Sequence, residues 1–311
     1  MPEGGIDGIV RLSRIQWERM RMKLKQSIGR GVVALMGQSW VERPFRYLAY
    51  HHKRALRRRV EAKLRRLGLL DDVIQSGPFK GLRYPPDEEH WISCRFEKII
   101  GCYEMEMFPW IERIAATKKY TSVINAGAAD GTFVVGLGRL FPEARLYAFE
   151  PSTERSPTVE ALARLNGVSD RLTMGKWCDP EALRAIDPGE APLVFCDVDG
   201  YEEVLLDKKA VPWLERADIL LEVHEFRATA LDEAERRDFE RRHSFLRRDI
   251  GKVIRSRFED THRIEECTVS GVPYERFPFL ENLSMPEILA LTESDRACIH
   301  PWFFLENQIT R

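Results

Sequence analysis

Cysteine is scarce and scattered in this sequence. Its six cysteines (Cys94, Cys102, Cys178, Cys196, Cys267 and Cys298) form no CxxC pair and none stands at zinc spacing from a histidine. A disulfide scaffold and a structural zinc module are thereby excluded, and a reducing, cytoplasmic compartment is the expectation. Long apolar runs are missing as well. None approaches the roughly 20 residues of a membrane-spanning helix, and Arg and Glu interrupt every candidate signal-peptide core. The expectation is a soluble protein, with peripheral membrane contact left open. There is no internal repeat and no low-complexity tract. There is also no GxGxxG, which argues against a nicotinamide-dependent oxidoreductase. No helix-turn-helix, zinc or RNP-like signature accompanies the basic residues, so no nucleic-acid partner is expected.

What the sequence does contain is an ordinary globular composition with an uneven charge. The 311 residues are 44% apolar and 31% charged, enough for a sizeable core. Residues 1–70 hold 17 Lys and Arg against five Asp and Glu, a net of +12; the chain totals −1, so residues 71–311 carry −13. Within the basic part, Ile9, Leu12, Ile15, Met20, Leu24 and Ile28 fall near one helical face. A second basic helical stretch follows Pro44 to about Leu70 and contains Arg57-Arg58-Arg59. The division expected is a basic helical extension over 1–70 and a catalytic domain over 71–311. The extension would pack on the main domain or on a second copy of the chain, as in a homodimer, or rest on an anionic surface.

From about residue 71 strands and helices alternate, which predicts right-handed crossovers and a mostly parallel, doubly wound α/β sheet. A turn or hairpin lead-in is read at Ser76–Gly81, and a helix over Arg95–Ala116. Strands are read at 122–126, 145–149, 172–175, 193–196 and 218–223, each followed by a helix, the last over 230–241. Segments 263–269 and 298–305 read as a final strand pair. In such sheets ligands bind beyond the carboxyl ends of the strands, so the residues just after each strand carry the chemistry.

Four such positions stand out. After the first strand comes Asn125-Ala-Gly127-Ala-Ala129-Asp130-Gly131, whose glycines let the backbone turn and approach a ligand carrying a carboxylate and a sugar. Nineteen residues beyond Gly131, at the end of the next strand, Glu150 can accept hydrogen bonds from both hydroxyls of a ribose. Beyond the fourth strand, Cys196-Asp197-Val198-Asp199-Gly200-Tyr201-Glu202 gathers three carboxylates. They could orient an acceptor hydroxyl, act as a base, or hold a divalent cation, while Asp199 as a plain helix cap is the simpler alternative. After the fifth strand comes Glu222-Val223-His224-Glu225, where His224 is the general-base candidate because imidazole titrates near neutrality.

The stretches SGPFKGLRYP, KIIGCYEMEMFPWIERI, VINAGAADGTFVVGL, YAFEPS, CDVDGYEEVLL and ILLEVHEF, in this order, resemble the FkbM family of class I S-adenosylmethionine-dependent methyltransferases. The resemblance spans Ser76 to about Leu305 and implies a seven-stranded sheet, a Rossmann-like fold and S-adenosylmethionine (SAM) at the first glycine loop. It further implies that Asn125, Gly127, Ala129 and Gly131 line the methionine end, that Glu150 holds the ribose, and that Trp177 and Cys178 flank adenine. Asp197 would face the sulfonium and the acceptor. Asn125 stands where an acidic residue is common, and Glu104 is the candidate to supply that charge. The activity implied is O-methylation of a sugar, a polysaccharide or a small natural product. His224, oriented by Glu222 or Glu225, would remove the proton, or a Mg²⁺-like ion held by Asp197, Asp199 and Glu222 would acidify the hydroxyl. The alternative from another class is a catalytically inactive scaffold that binds a membrane or partner through its basic helices.

Overall fold

The structure is a computed structural model. It describes residues 39–85, 92, 94–224, 249–268, 277–292 and 300–308. The apolar periodicity at 9–28, the helix at 230–241, Glu225 and Cys298 lie outside these residues. The chain divides into two compact units, Met1–Val60 and Glu61–Arg311. Helix α1 (Ser39–Arg66) runs through that boundary and begins before Pro44 rather than after it. Among the described residues, no helix is long and apolar enough to cross a membrane.

The larger unit is built on one seven-stranded sheet, ordered β3-β2-β1-β4-β5-β7-β6. The strands are β1 (Ser122–Ala126), β2 (Arg145–Phe149), β3 (Leu172–Gly175), β4 (Pro192–Cys196), β5 (Asp218–Glu222), β6 (His262–Cys267) and β7 (Trp302–Asn307). The first five are parallel; β7 runs antiparallel between β5 and β6. Strands β1, β4, β5 and β7 are buried at every position, as continuous apolar runs covered on both faces must be. Asp218, at the start of β5, fixes the return strand: its two oxygens accept from Asn307 N (2.7 Å) and Tyr120 Oη (2.6 Å).

The described helices of this unit beyond α1 are α2 (Arg95–Ile100), α3 (Phe108–Thr117), α4 (Thr132–Leu140), α5 (Ser156–Leu165), α6 (Pro180–Ala185), α7 (Glu202–Leu205), α8 (Ile250–Phe258) and α9 (Met285–Thr292). Helix α4 packs closely on its neighbours because Gly136 and Gly138 leave room for Phe79 and Leu146. A Cβ at either glycine would stand 2.5 Å from those side chains. The single helix expected over 95–116 is instead two helices joined by a 3₁₀ turn at Met105–Met107. Gly101 stops the first at φ 80°, its N–H closing on Glu97 O and Lys98 O. Pro109, in the first turn of α3, starts the second. Ser76–Gly81 is the expected turn, closed by an antiparallel bridge between Val73 and Arg83.

Strand order reverses between β1 and β4, because β2 and β3 lie to one side and β5 to the other. That switch point is where an open α/β sheet opens a crevice.

Candidate active site

A cleft of about 370 Å³ opens at the switch point, lined by Gly127, Ala129, Phe149, Glu150, Pro151, Arg155, Trp177, Cys178, Asp197, Val198, Asp199, Gly200 and Tyr201. Its floor is set at Gly127, which turns the chain at φ 80°. A Cβ there would stand 1.7 Å from the Asp197 carbonyl oxygen, so only glycine lets the ends of β1 and β4 come together. The N–H groups of Gly127 and Ala128 both donate to Phe149 O, at 3.1 and 2.9 Å, tying this loop to the end of β2.

Glu150 follows β2 directly and is 3% exposed. Its Oε2 accepts from Ala129 N at 2.8 Å and its Oε1 from Ser152 N at 2.9 Å. The carboxylate is thus held rigidly on the cleft wall by two backbone donors, and each oxygen retains lone-pair capacity for a ligand hydroxyl. Opposite, Trp177 is 57% exposed and lies 5.6 Å from the Tyr201 ring, an open aromatic pair at the cleft mouth. Burial, and then the Asp179 charge, push the Cys178 thiol up to about 12, so it lines the cleft as an apolar wall and not as a nucleophile.

Asp197 and Asp199 of the lining join the cleft to a carboxylate-imidazole cluster behind it, whose other members, His224, Glu202 and Glu222, are buried and do not line the cleft themselves. His224 Nδ1 is 2.5 Å from Glu202 Oε1. Its Nε2 lies 3.5 Å from Asp197 Oδ1, 3.6 Å from Asp199 Oδ1 and 3.7 Å from Glu222 Oε2. The His300 ring stands 4.6 Å from the imidazole. Burial drags the His224 pKa down, but the Glu202 hydrogen bond and the charges of Asp197, Glu202 and Asp199 outweigh it, and the net shift is upward. Burial, then the charge and hydrogen bond of Asp197, push the Glu222 carboxyl up to about 10. Asp197 itself rises to about 6, chiefly through burial.

Several sequence expectations change here. Glu104 does not line the cleft: it is buried, with Oε2 accepting from Trp302 Nε1 at 2.9 Å. Asn125 and Gly131 shape the loop from beneath without lining the cleft. The Asn125 amide donates to backbone carbonyls, the nearest being Gly127 O and Phe195 O at 3.4 Å, and Gly131 abuts Val159. Among the described residues Asp199 caps no helix. Helix α7 has no side-chain cap, and the Asp199 side chain, at φ 51°, is 92% exposed at the cleft rim. The partner of His224 Nδ1 is Glu202, not Glu222. Glu202 was visible in the CDVDGYEE run, but nothing in the spacing marked it over Glu203. The described acids and imidazoles close enough to share a cation are Asp197, Asp199 and His224, within 4.8 Å of one another, and Glu222 is not in that set.

One pairing carried no sequence signal. Lys98 of α2 forms a buried ion pair with Asp130, whose other oxygen accepts from Thr132 N (3.1 Å) and Thr132 Oγ1 (2.6 Å) at the start of α4. A lysine beside two isoleucines gives no hint of a partner 32 residues on.

No family model matches the sequence, and no curated protein matches it. Among solved structures the chain is similar to an O-methyltransferase of Bacillus cereus in complex with SAH (13% identity, 66% of this chain and 81% of that one, TM-score 0.42). It is also similar to the O-methyltransferase TomG of Streptomyces achromogenes in complex with SAM (12%, 66% and 81%, TM-score 0.40). A third is precorrin-6y C5,15-methyltransferase of Geobacter metallireducens (14%, 72% and 100%, TM-score 0.41). Likenesses this distant leave ligand and activity to the site itself.

Proposed function

We propose that the chain is a SAM-dependent methyltransferase that methylates a hydroxyl oxygen of a sugar, a polysaccharide or a small natural product. The observation that carries this is the position of Glu150. It is a buried carboxylate pinned by Ala129 N and Ser152 N on the wall of a glycine-floored cleft, where a ribose diol needs its acceptor. The cleft volume suits a nucleoside-sized ligand, and the open Trp177–Tyr201 pair offers a surface for a planar base. The ordered motifs that resemble the FkbM family favour oxygen as the acceptor atom.

SAM brings an electrophilic methyl group on a sulfonium, and transfer is an in-line displacement. The chain's part is positioning and removal of one proton. Asp197, which lines the cleft and lies 3.5 Å from His224 Nε2, would face the sulfonium charge and orient the acceptor. His224 Nε2 would take the hydroxyl proton as the methyl group passes to the oxygen, the electron pair of the broken S–CH₃ bond staying on the donor's sulfur.

A second reading has one observation in its favour. Asp197, Asp199 and His224 present ligand atoms close enough for one divalent cation, Mg²⁺ or a softer metal, which would acidify the hydroxyl instead. Turnover that survives both His224→Ala and exhaustive chelation would remove both routes. The reading as a whole is tested by calorimetric titration. SAM is expected to bind in the micromolar range, and Glu150→Ala to weaken it by at least about tenfold, the loss of one charge-assisted hydrogen-bond pair. NADH binding in place of SAM would give the site to an oxidoreductase, and binding of neither would leave an inactive scaffold.

A further inference from the structure

His224 has carboxylates on both sides, and they are not equivalent. Asp197, Asp199 and Glu222 all lie 3.5 Å or more from Nε2, beyond a good hydrogen bond. Among the described residues, Glu202 is the carboxylate within hydrogen-bonding distance, 2.5 Å from Nδ1. Glu202 is fully buried at 0% exposure, and the same Oε1 accepts from Gly200 N at 3.0 Å. Its Oε2 is buried and has no hydrogen-bond partner among the described residues. A carboxylate placed this way destabilises the fold by itself, since the Gly200 contact needs only a neutral acceptor such as glutamine.

We propose that Glu202 is the positioning residue of His224. Its carboxylate accepts the Nδ1 proton, holds the ring, and leaves Nε2 as the bare nitrogen facing Asp197 and Asp199. This rests on the reading of His224 as the group at the reacting centre, and it holds whether Nε2 takes a proton or a cation. The tautomer of an imidazole is set by the partner of its other nitrogen. A buried carboxylate on Nδ1 selects the Nδ1–H form, which free histidine side chains disfavour. The packing of α7 delivers Glu202 to this point: it is the first residue of the helix that follows the Asp197–Tyr201 loop.

The test reads the ring without donor or acceptor. Long-range proton–nitrogen correlation spectra of the ¹⁵N-histidine-labelled full chain, kept free of metal by chelator and held at alkaline pH, resolve the two ring nitrogens. The signal among the seven histidines is assigned by its loss in His224→Gln. In the wild type the proton is expected on Nδ1 in most molecules. In Glu202→Met that population should fall several-fold in favour of Nε2–H. A wild-type ring protonated on Nε2 overturns the proposal, as does a folded Glu202→Met variant with an unchanged tautomer. Should Glu202→Met fail to fold, the wild-type spectrum still decides. A chain that has the Nδ1–H ring but binds no SAM loses the methyltransferase reading and keeps this arrangement; the reverse result loses Glu202 alone.

Discussion

Glu222 is 3% exposed beside Asp197, and burial together with the Asp197 charge and hydrogen bond lifts its carboxyl to about 10. The folded chain therefore keeps a proton that the unfolded chain releases above the ordinary value of 4.5. Between those two values the native state binds more protons than the unfolded state, so this group's contribution to stability is greatest below pH 4.5. It declines as pH rises toward 10. Glu222→Gln keeps a donor toward Asp197 and removes the titration. We expect the variant to gain roughly 3–5 kcal/mol over the wild type at pH 8, at about 1.4 kcal/mol per pH unit above the ordinary value, and little at pH 4, read from urea unfolding. An equal difference at both pH values would mean that Glu222 is not held neutral. The same residue scale explains Gly127, where a methyl group would collide with the Asp197 carbonyl and close the cleft floor.

Between elements, the buried Lys98–Asp130 pair joins α2 to the loop that opens α4, and Tyr84 Oη meets Thr132 Oγ1 at 2.7 Å beside it. Lys98 and Asp130 are 3% and 2% exposed, so removing one leaves an uncompensated charge in the interior. Lys98→Met is expected to cost about 3–5 kcal/mol in denaturant unfolding. Adding Asp130→Asn should recover a large part of that, because the neutral amide still accepts from Thr132. Additive losses in the double variant would show that the two side chains do not interact. The same element shows why the helix expected over 95–116 breaks: Gly101 turns the chain at φ 80°, where a Cβ would meet Ser76 O at 2.2 Å.

For the whole molecule the uneven charge is the dominant feature: +12 over residues 1–70 against −13 over the rest. Helix α1 carries Arg57, Arg58, Arg59, Lys63, Arg65 and Arg66 along its C-terminal half, with Glu61 as the acid among them. We expect the full chain to sediment with phosphatidylserine vesicles at about 50 mM salt and to be released at about 0.5 M, where screening shortens the Debye length to a few ångströms. Arg57, Arg58 and Arg59 changed together to Glu should abolish sedimentation at low salt. Sedimentation unaffected by that change, or by salt, would remove the lipid partner. A mass that doubles at low salt without vesicles would point to a second copy of the chain.

From the sequence alone the five parallel strands are legible, and with them the strand ends around which the cleft opens. Buried parallel strands are short apolar runs that end in glycine or acid, and SVINAG, YAFEP, VFCD and LLEV each announce one. Those signals are local, because strand, turn and cap preferences act within a few residues. Which side chains meet follows from the three-dimensional packing. It joined His224 to Glu202 across 22 residues, Lys98 to Asp130 across 32 and Glu104 to Trp302 across 198. Such partners are chosen by which strand ends and helix starts the sheet brings side by side, and no spacing along a single chain encodes that.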